Sequence, residues 1–160
     1  MLKSREGQKV PQVTFRTRRD HEWVDVGSDE IFKGKTVVVF SLPGAFTPTC
    51  SSTHVPRYNQ LVPSFRQHAV DDVVCISVND AFVMKAWGDS QNASEIDMLA
   101  DGDARFHAAT GLSMDTGQFG GIRAQRYAML VKDGVVTVLR VEKPGEFEVS
   151  SAESMVAALT

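Results

Sequence analysis

The 160-residue sequence holds only two cysteines, and they are not spaced as C-x-x-C. That count and spacing exclude a disulfide-stapled scaffold and a dithiol redox motif. With four scattered histidines, ligands for metal are also scarce. Cys50 and His54, at i and i+4, make at most half of a structural zinc site, which normally takes four ligands. No metal is expected. Long apolar runs are missing too. Nothing approaches the roughly 18 residues that read as a membrane span, and no apolar stretch follows Met1, so neither a signal peptide nor a membrane partner is expected. Positive charge is not in excess: 17 Lys and Arg against 20 Asp and Glu give a net charge of −3, which weighs against nucleic acid as a partner. The one basic cluster, Arg16 to Arg19, runs straight into Asp20 and Glu22 and reads as a solvated hairpin tip. Repeats, low-complexity segments and motifs for flavin, haem or nucleotide are absent, so no cofactor is expected. Thiols that form no scaffold point to a reducing cytoplasm.

What is present is an ordinary globular composition, 42% apolar and 23% charged, long enough to bury one core. A single domain over residues 1–160 is expected. Strands are read at Val10–Thr17 and Trp23–Val26, forming a hairpin. Further strands are read at Thr36–Leu42, Val73–Val78, Ile96–Ala100, Tyr127–Val131 and Val135–Val141. Lys132-Asp133-Gly134 joins the last two as a turn. Helices are read at Ser28–Phe32 with Ser28 as its cap, from Cys50 to about His68, at Ala81–Trp87 behind an Asn79-Asp80 cap, and at Arg105–Thr110 ahead of Gly111. The last helix opens on a capping box, Ser150-x-x-Glu153. Residues 112–123 read as loop. Strands alternating with helices give an α/β protein with a central sheet covered on both faces.

The stretch that stands out is Pro43-Gly44-Ala45-Phe46-Thr47-Pro48-Thr49-Cys50. A buried strand empties into a loop broken by two prolines and a glycine, and the loop delivers a cysteine to the start of a helix, with Pro56 early in that helix. Unpaired N–H groups and the positive end of the helix macrodipole favour thiolate over thiol there. The thiolate is the nucleophile, and each pKa unit of lowering corresponds to about 1.4 kcal/mol. Thr47, three residues before Cys50, either caps the helix or turns its hydroxyl to the sulfur. An arginine is needed nearby, and the residues alone leave Arg123 and Arg126 both open.

The run PGAFTPTCS, with Pro43, Thr47 and Cys50 as P-x-x-x-T-x-x-C, resembles the peroxiredoxins of the type II or type 5 subgroup. The resemblance continues through Val74–Trp87 and Arg126–Val136 and so covers nearly the whole chain. It implies a thioredoxin-like fold with a central mixed sheet flanked by helices and an extra N-terminal β-hairpin. It implies a thiol peroxidase in which Cys50 attacks hydrogen peroxide or an alkyl hydroperoxide and becomes a sulfenic acid. Thr47 then bonds the peroxide, Pro43 shields the thiolate, and Arg126 supplies the pocket cation. Some relatives resolve the sulfenic acid with a second cysteine near the C-terminus. Ser150 stands at that position here, so the expected reductant is an outside thiol, glutathione with glutaredoxin, with thioredoxin as the alternative. The chain is also similar to the peroxidase half of bacterial fusions that carry a glutaredoxin domain, and it stops at Thr160, where that domain would begin. Cys75, in an apolar strand, reads as a buried, inert thiol, with a resolving role as the alternative. A Cys50–Cys75 disulfide needs Cα atoms within about 7 Å. Relatives dimerise near this loop, which makes an exposed Phe46 or Trp87 a candidate homodimer contact. Rival functions on the same residues are a thiol–disulfide oxidoreductase, a peroxide-sensing relay and a holdase.

Overall fold

Five consecutive strand residues, Val37 to Ser41, are all buried, so the strand that carries them cannot have a wet face. Their side chains alternate between two cores. Val38, Phe40 and Leu42 pack into one cluster, Val37 and Val39 into the other. The computed structural model describes residues 6–160, and at Cys50 the backbone alone. Its elements in chain order are β1 (Thr14–Arg19), β2 (Glu22–Gly27), α1 (Ser28–Phe32), β3 (Thr36–Ser41), a π-helical turn (Cys50–His54), α2 (Val55–Gln67), β4 (Asp72–Ser77), α3 (Ala81–Ser90) and β5 (Asp97–Ala100). There follow α4 (Arg105–Thr110), β6 (Ser113–Asp115), a 3₁₀ turn (Gly117–Phe119), β7 (Ile122–Ala124), β8 (Tyr127–Lys132), β9 (Val135–Val141) and α5 (Ala152–Ala158).

The central sheet has the order β2-β1-β5-β4-β3-β8-β9. β3 runs parallel to β4, with Phe40 opposite Cys75, and antiparallel to β8, with Ser41 opposite Tyr127. Mixed pairing of this kind follows from the connections: helices carry the chain over between β3, β4 and β5, while Asp133 and Gly134, both at positive φ, make the tight turn between β8 and β9. α2, α3 and α5 send Tyr58, Phe65, Met84, Trp87 and Met155 into the cluster on one face. α1 and α4 send Ile31, Phe32 and Phe106 into the other. Burying side chains of this size stabilises by about 1.5–3 kcal/mol each. Phe40 is stacked on Tyr58 at 4.0 Å, which in turn stacks on Phe65 at 5.8 Å.

Several sequence expectations are corrected. The first strand begins at Thr14, not Val10. Pro11 lacks an N–H for a ladder, and residues 10–13 are instead held by the amide of Val10 on the Gly134 carbonyl and by Ser28. Ser28 therefore does not cap α1. The helix is capped by Gly27, and the Ser28 hydroxyl donates to the Pro11 carbonyl at 2.6 Å. α3 continues to Ser90, past Trp87, because Gly88 packs against Met98 instead of ending the helix. Residues 112–123 contain the two short strands of a separate ribbon, β6 and β7. Ser150 does not open α5 either; Ser151 does, accepting from the Ser154 amide at 3.1 Å.

Candidate active site

β3 ends at Ser41, and the next residues leave the sheet at the carboxyl end of a central strand. Asn79, expected to cap α3, instead accepts the Ala45 amide on its Oδ1 at 3.0 Å, while Asp80 is the cap. The loop bends at Phe46, which has φ +64° and is 57% exposed. Thr47 closes the bend by donating its hydroxyl to the Gly44 carbonyl at 2.7 Å, and its own carbonyl accepts the Ser51 amide at 3.0 Å. The hydroxyl bonds backwards to Gly44 while the Thr47 carbonyl takes the first helical amide, so the residue stands at the N-cap position. Its proton is engaged on Gly44, which leaves the oxygen's lone pairs as acceptors. Cys50 is the first residue of the π-helical turn that precedes α2. π-turns inside helices are frequent at functional sites. Pro56 occupies the start of α2, where its missing N–H costs nothing.

Arg126 stands one residue before β8 and points to the same end of the sheet. A cleft of about 460 Å³ is lined by Pro43, Thr49, Gln125, Arg126, Lys143 and Phe147, among others. Pro43 and Arg126 thus share one cavity, with the residue before Cys50 on its wall. Arg123 does not join it. Its guanidinium donates to the Val78 carbonyl at 3.0 Å and to the Gly120 carbonyl at 2.8 Å, serving the backbone behind the loop.

Arg126 is held by a neighbour the sequence did not assign. Its Nη1 donates to His54 Nδ1 at 2.8 Å. Because arginine only donates, Nδ1 must be the bare nitrogen, and Nε2 carries the proton that goes to the Ser150 carbonyl at 3.1 Å. Burial, and then the adjacent Arg126 charge, push the His54 pKa down to about 3. The imidazole is neutral at physiological pH and serves as an acceptor for the guanidinium. Phe147 covers both groups, 5.6 Å below Arg126 and edge-on to His54 at 4.9 Å.

The Ser150 carbonyl is itself fixed. It also accepts from Tyr58 Oη at 2.7 Å. Glu142 Oε2 gathers the amides of Glu148, Val149 and Ser150 at 2.9–3.0 Å and the Ser150 hydroxyl at 2.7 Å. Burial raises the Glu142 pKa, but these four donors outweigh it and hold the carboxyl below its usual range. The Glu142 amide then returns to the Arg126 carbonyl at 2.9 Å. The bonds close a ring: Arg126 to His54, His54 to Ser150, Ser150 to Glu142, Glu142 back to Arg126.

A family model for redoxins matches residues 5–156. The hybrid peroxiredoxin hyPrx5 of Haemophilus influenzae is 51% identical over 162 residues, covering 99% of this chain and 67% of that protein. The chain is a peroxiredoxin. It falls in the Prx5, or type II, subgroup. A peroxiredoxin of Synechocystis is 43% identical, over 95% of this chain and 89% of its own. The crystal structure of reduced Prx3 from Vibrio vulnificus in complex with H₂O₂ superimposes with a TM-score of 0.95 at 54% identity, covering 97% of this chain and 98% of that one. The thioredoxin-like fold with its N-terminal hairpin and the thiol peroxidase activity follow from membership. Its substrate is a peroxide and its turnover draws on a thiol reductant.

The ring around Arg126 brings three further residues to the candidate site. His54 had a signal in its i+4 spacing from Cys50, but that spacing was weighed as metal ligation. Among the described residues no His, Cys, Asp and Glu cluster could hold a metal. Glu142 had a signal in the hairpin register: Tyr127 pairs with Val141, so their neighbours Arg126 and Glu142 lie together. Ser150 stood out only as a helix cap and as the place of a resolving cysteine; its bonds to Glu142 form because the loop between them curls back. Trp87, expected either in the core or as an exposed contact, is fully buried and donates its indole N–H to Ser51 Oγ at 3.0 Å. Cys75 is buried, as expected. No helix among the described residues is long and apolar enough to cross a membrane.

Proposed function

We propose that Cys50 is the peroxidatic nucleophile and that Arg126, Thr47 and Pro43 are its catalytic neighbours. The observation that carries this is the shared cleft of Pro43 and Arg126, with Cys50 opening the helix directly behind Thr49 on its wall. The thiolate attacks one peroxide oxygen, the O–O bond breaks, and the other oxygen leaves with a proton as water or alcohol. Cys50 is oxidised to the sulfenic acid. Arg126 offers a planar fork to the thiolate and to the leaving oxygen. Neutral His54 aims that fork without competing for the anion. Thr47, its own proton spent on Gly44, accepts from the peroxide hydroxyl. Pro43 brings no donor and keeps water from the sulfur.

The sulfenic acid is recycled by an external thiol, glutathione with glutaredoxin: the first thiol condenses on Cys50 with loss of water, and a second releases the reduced enzyme as a disulfide leaves. Two observations support this over an internal cycle. Ser150 offers a hydroxyl, bonded to Glu142, and no thiol, and Cys75 has no exposed surface, its side chain packed in the core beneath α2 and α3. A thioredoxin-dependent cycle through Cys75 would require that core to open. The reading extends to one domain over residues 1–160, a cytoplasmic compartment and a homodimer contact that includes exposed Phe46.

Intact mass after one equivalent of hydrogen peroxide and then glutathione tests it. A single glutathione adduct, lost in Cys50→Ser and retained in Cys75→Ser, is the expected result. Loss of two protons in the wild type alone would instead establish a Cys50–Cys75 disulfide.

A further inference from the structure

A second buried polar network lies on the opposite side of the sheet, and the chemistry above does not use it. His107, on α4, is fully buried. Its Nδ1 is 2.7 Å from Asp101 Oδ2, just beyond the end of β5. Its Nε2 is 2.9 Å from Tyr127 Oη at the start of β8 and 3.2 Å from Ser41 Oγ at the end of β3. The Ser41 hydroxyl donates in turn to the Ile76 carbonyl of β4. One imidazole therefore ties together the same ends of all four central strands.

The Nδ1 proton is fixed by its partner. The Asp101 carboxylate also accepts the Phe106 and His107 amides at 3.0 and 3.1 Å, and these bonds, with the imidazole, outweigh burial and hold it below the usual carboxylate range. An acceptor there requires the proton on Nδ1. Burial keeps the Tyr127 phenol protonated; it can donate or accept and shares Nε2 with the Ser41 oxygen. Serine, histidine and aspartate together are the residue types of a hydrolytic triad. Here Ser41 is sealed from solvent with its proton committed to Ile76, so it offers no nucleophile.

An apolar side chain of similar volume would fill this position with no loss of packing. What a fully satisfied polar network adds is a unique arrangement of the groups it joins. Those groups adjoin the peroxidase machinery: Tyr127 follows Arg126, and Ser41 precedes Pro43 by two residues. We propose that His107 is a positioning residue of the peroxidase site, holding the ends of β3 and β8 so that the Pro43 loop and Arg126 face one cleft. This rests on the assignment of Cys50, Pro43 and Arg126 made above.

The test compares His107→Phe and His107→Gln in the full chain by stopped-flow oxidation with hydrogen peroxide, alongside thermal melts. A misplacement of about 1 Å can cost up to about 100-fold in rate, and His107→Phe is expected to fold and to oxidise about 10-fold more slowly. Gln places an amide that can donate and accept near the Nε2 position and is expected to recover the rate to within about threefold. A merely structural histidine would move the melting temperature and leave the rate of folded enzyme unchanged. A wild-type rate in His107→Phe, or a His107→Gln as slow as His107→Phe, overturns the proposal. Should His107→Phe not fold, Tyr127→Phe decides, with a wild-type rate again overturning it. Cys50→Ser separates the two levels. Turnover lost there with His107→Phe at wild-type rate rejects the role of His107 alone; turnover retained there rejects the site and the role together.

Discussion

Acidification tests the ring around Arg126 through His54. The folded protein holds this imidazole neutral, with its pKa near 3, whereas an unfolded chain protonates it near the ordinary value of about 6.5. A histidine with a depressed folded pKa binds fewer protons folded than unfolded. Stability is therefore full above about pH 6.5 and falls as pH drops toward 3. At about 1.4 kcal/mol per unit, the shift removes about 3 kcal/mol between pH 7 and pH 4. The cause is burial of the imidazole first and Arg126 second: a proton on Nδ1 would face the guanidinium at 2.8 Å and displace the bond that orients it. His54→Gln cannot take up that proton. Urea denaturation of wild type and His54→Gln at pH 7, 5.5 and 4 should show the wild type losing about 3 kcal/mol more than the variant across the series, equivalent to about 6–12 °C in melting temperature for a chain of this size. Carboxylates elsewhere titrate in both proteins and cancel in the difference. Parallel pH slopes in the two proteins would refute the assignment of His54 as a neutral acceptor.

Other outcomes follow from the same geometry. Arg126→Lys keeps the charge and loses the fork, and the second-order rate with hydrogen peroxide should fall about 100-fold in a stopped-flow assay. Glu142→Gln replaces a carboxylate that gathers four donors and should destabilise by about 2–3 kcal/mol at pH 7 in chemical denaturation. Since the folded Glu142 pKa is depressed, the wild-type advantage exists above the ordinary carboxylate pKa and should shrink as pH falls through it toward the folded value. Cys75→Ser should keep glutathione-dependent turnover within about twofold, while burying a hydroxyl in β4 costs about 1–3 kcal/mol in the same melts.

The Cys50 loop was legible because its signal is local. A strand, two prolines, a glycine and a helix start around Cys50 are contiguous in the chain, and the match of Pro43, Thr47 and Arg126 to a known pattern needs no tertiary information. The sheet was legible for a similar reason: runs such as Val73–Val78 are apolar on both faces. Boundaries failed where long-range bonds decide them. Val10 reads as strand, but Pro11 and Ser28 hold its segment outside the ladder. Ser150 reads as a cap, but Glu142 reaches it first and leaves Ser151 to begin the helix. Arg123 and Arg126 are equivalent by composition and separate only when the fold hands one to the Val78 carbonyl and the other to His54. His107 carried no signal at all, because its partners Asp101, Tyr127 and Ser41 come from three separate strands.

The burial of Cys75 in the middle of β4 turns it into a gauge of how often the core breathes. The thiol is in register with Phe40 on one side and Met98 on the other and has no exposed surface. Its side chain points into the core beneath α2 and α3, so a bulky thiol reagent can reach it only from conformers in which that helical layer has lifted from the sheet. When reclosing is faster than modification, the labelling rate equals the opening equilibrium multiplied by the reagent's intrinsic rate. In a Cys50→Ser background this one sulfur reads the opening free energy of the core between the helices and the sheet directly, under the conditions in which the enzyme works and without denaturant.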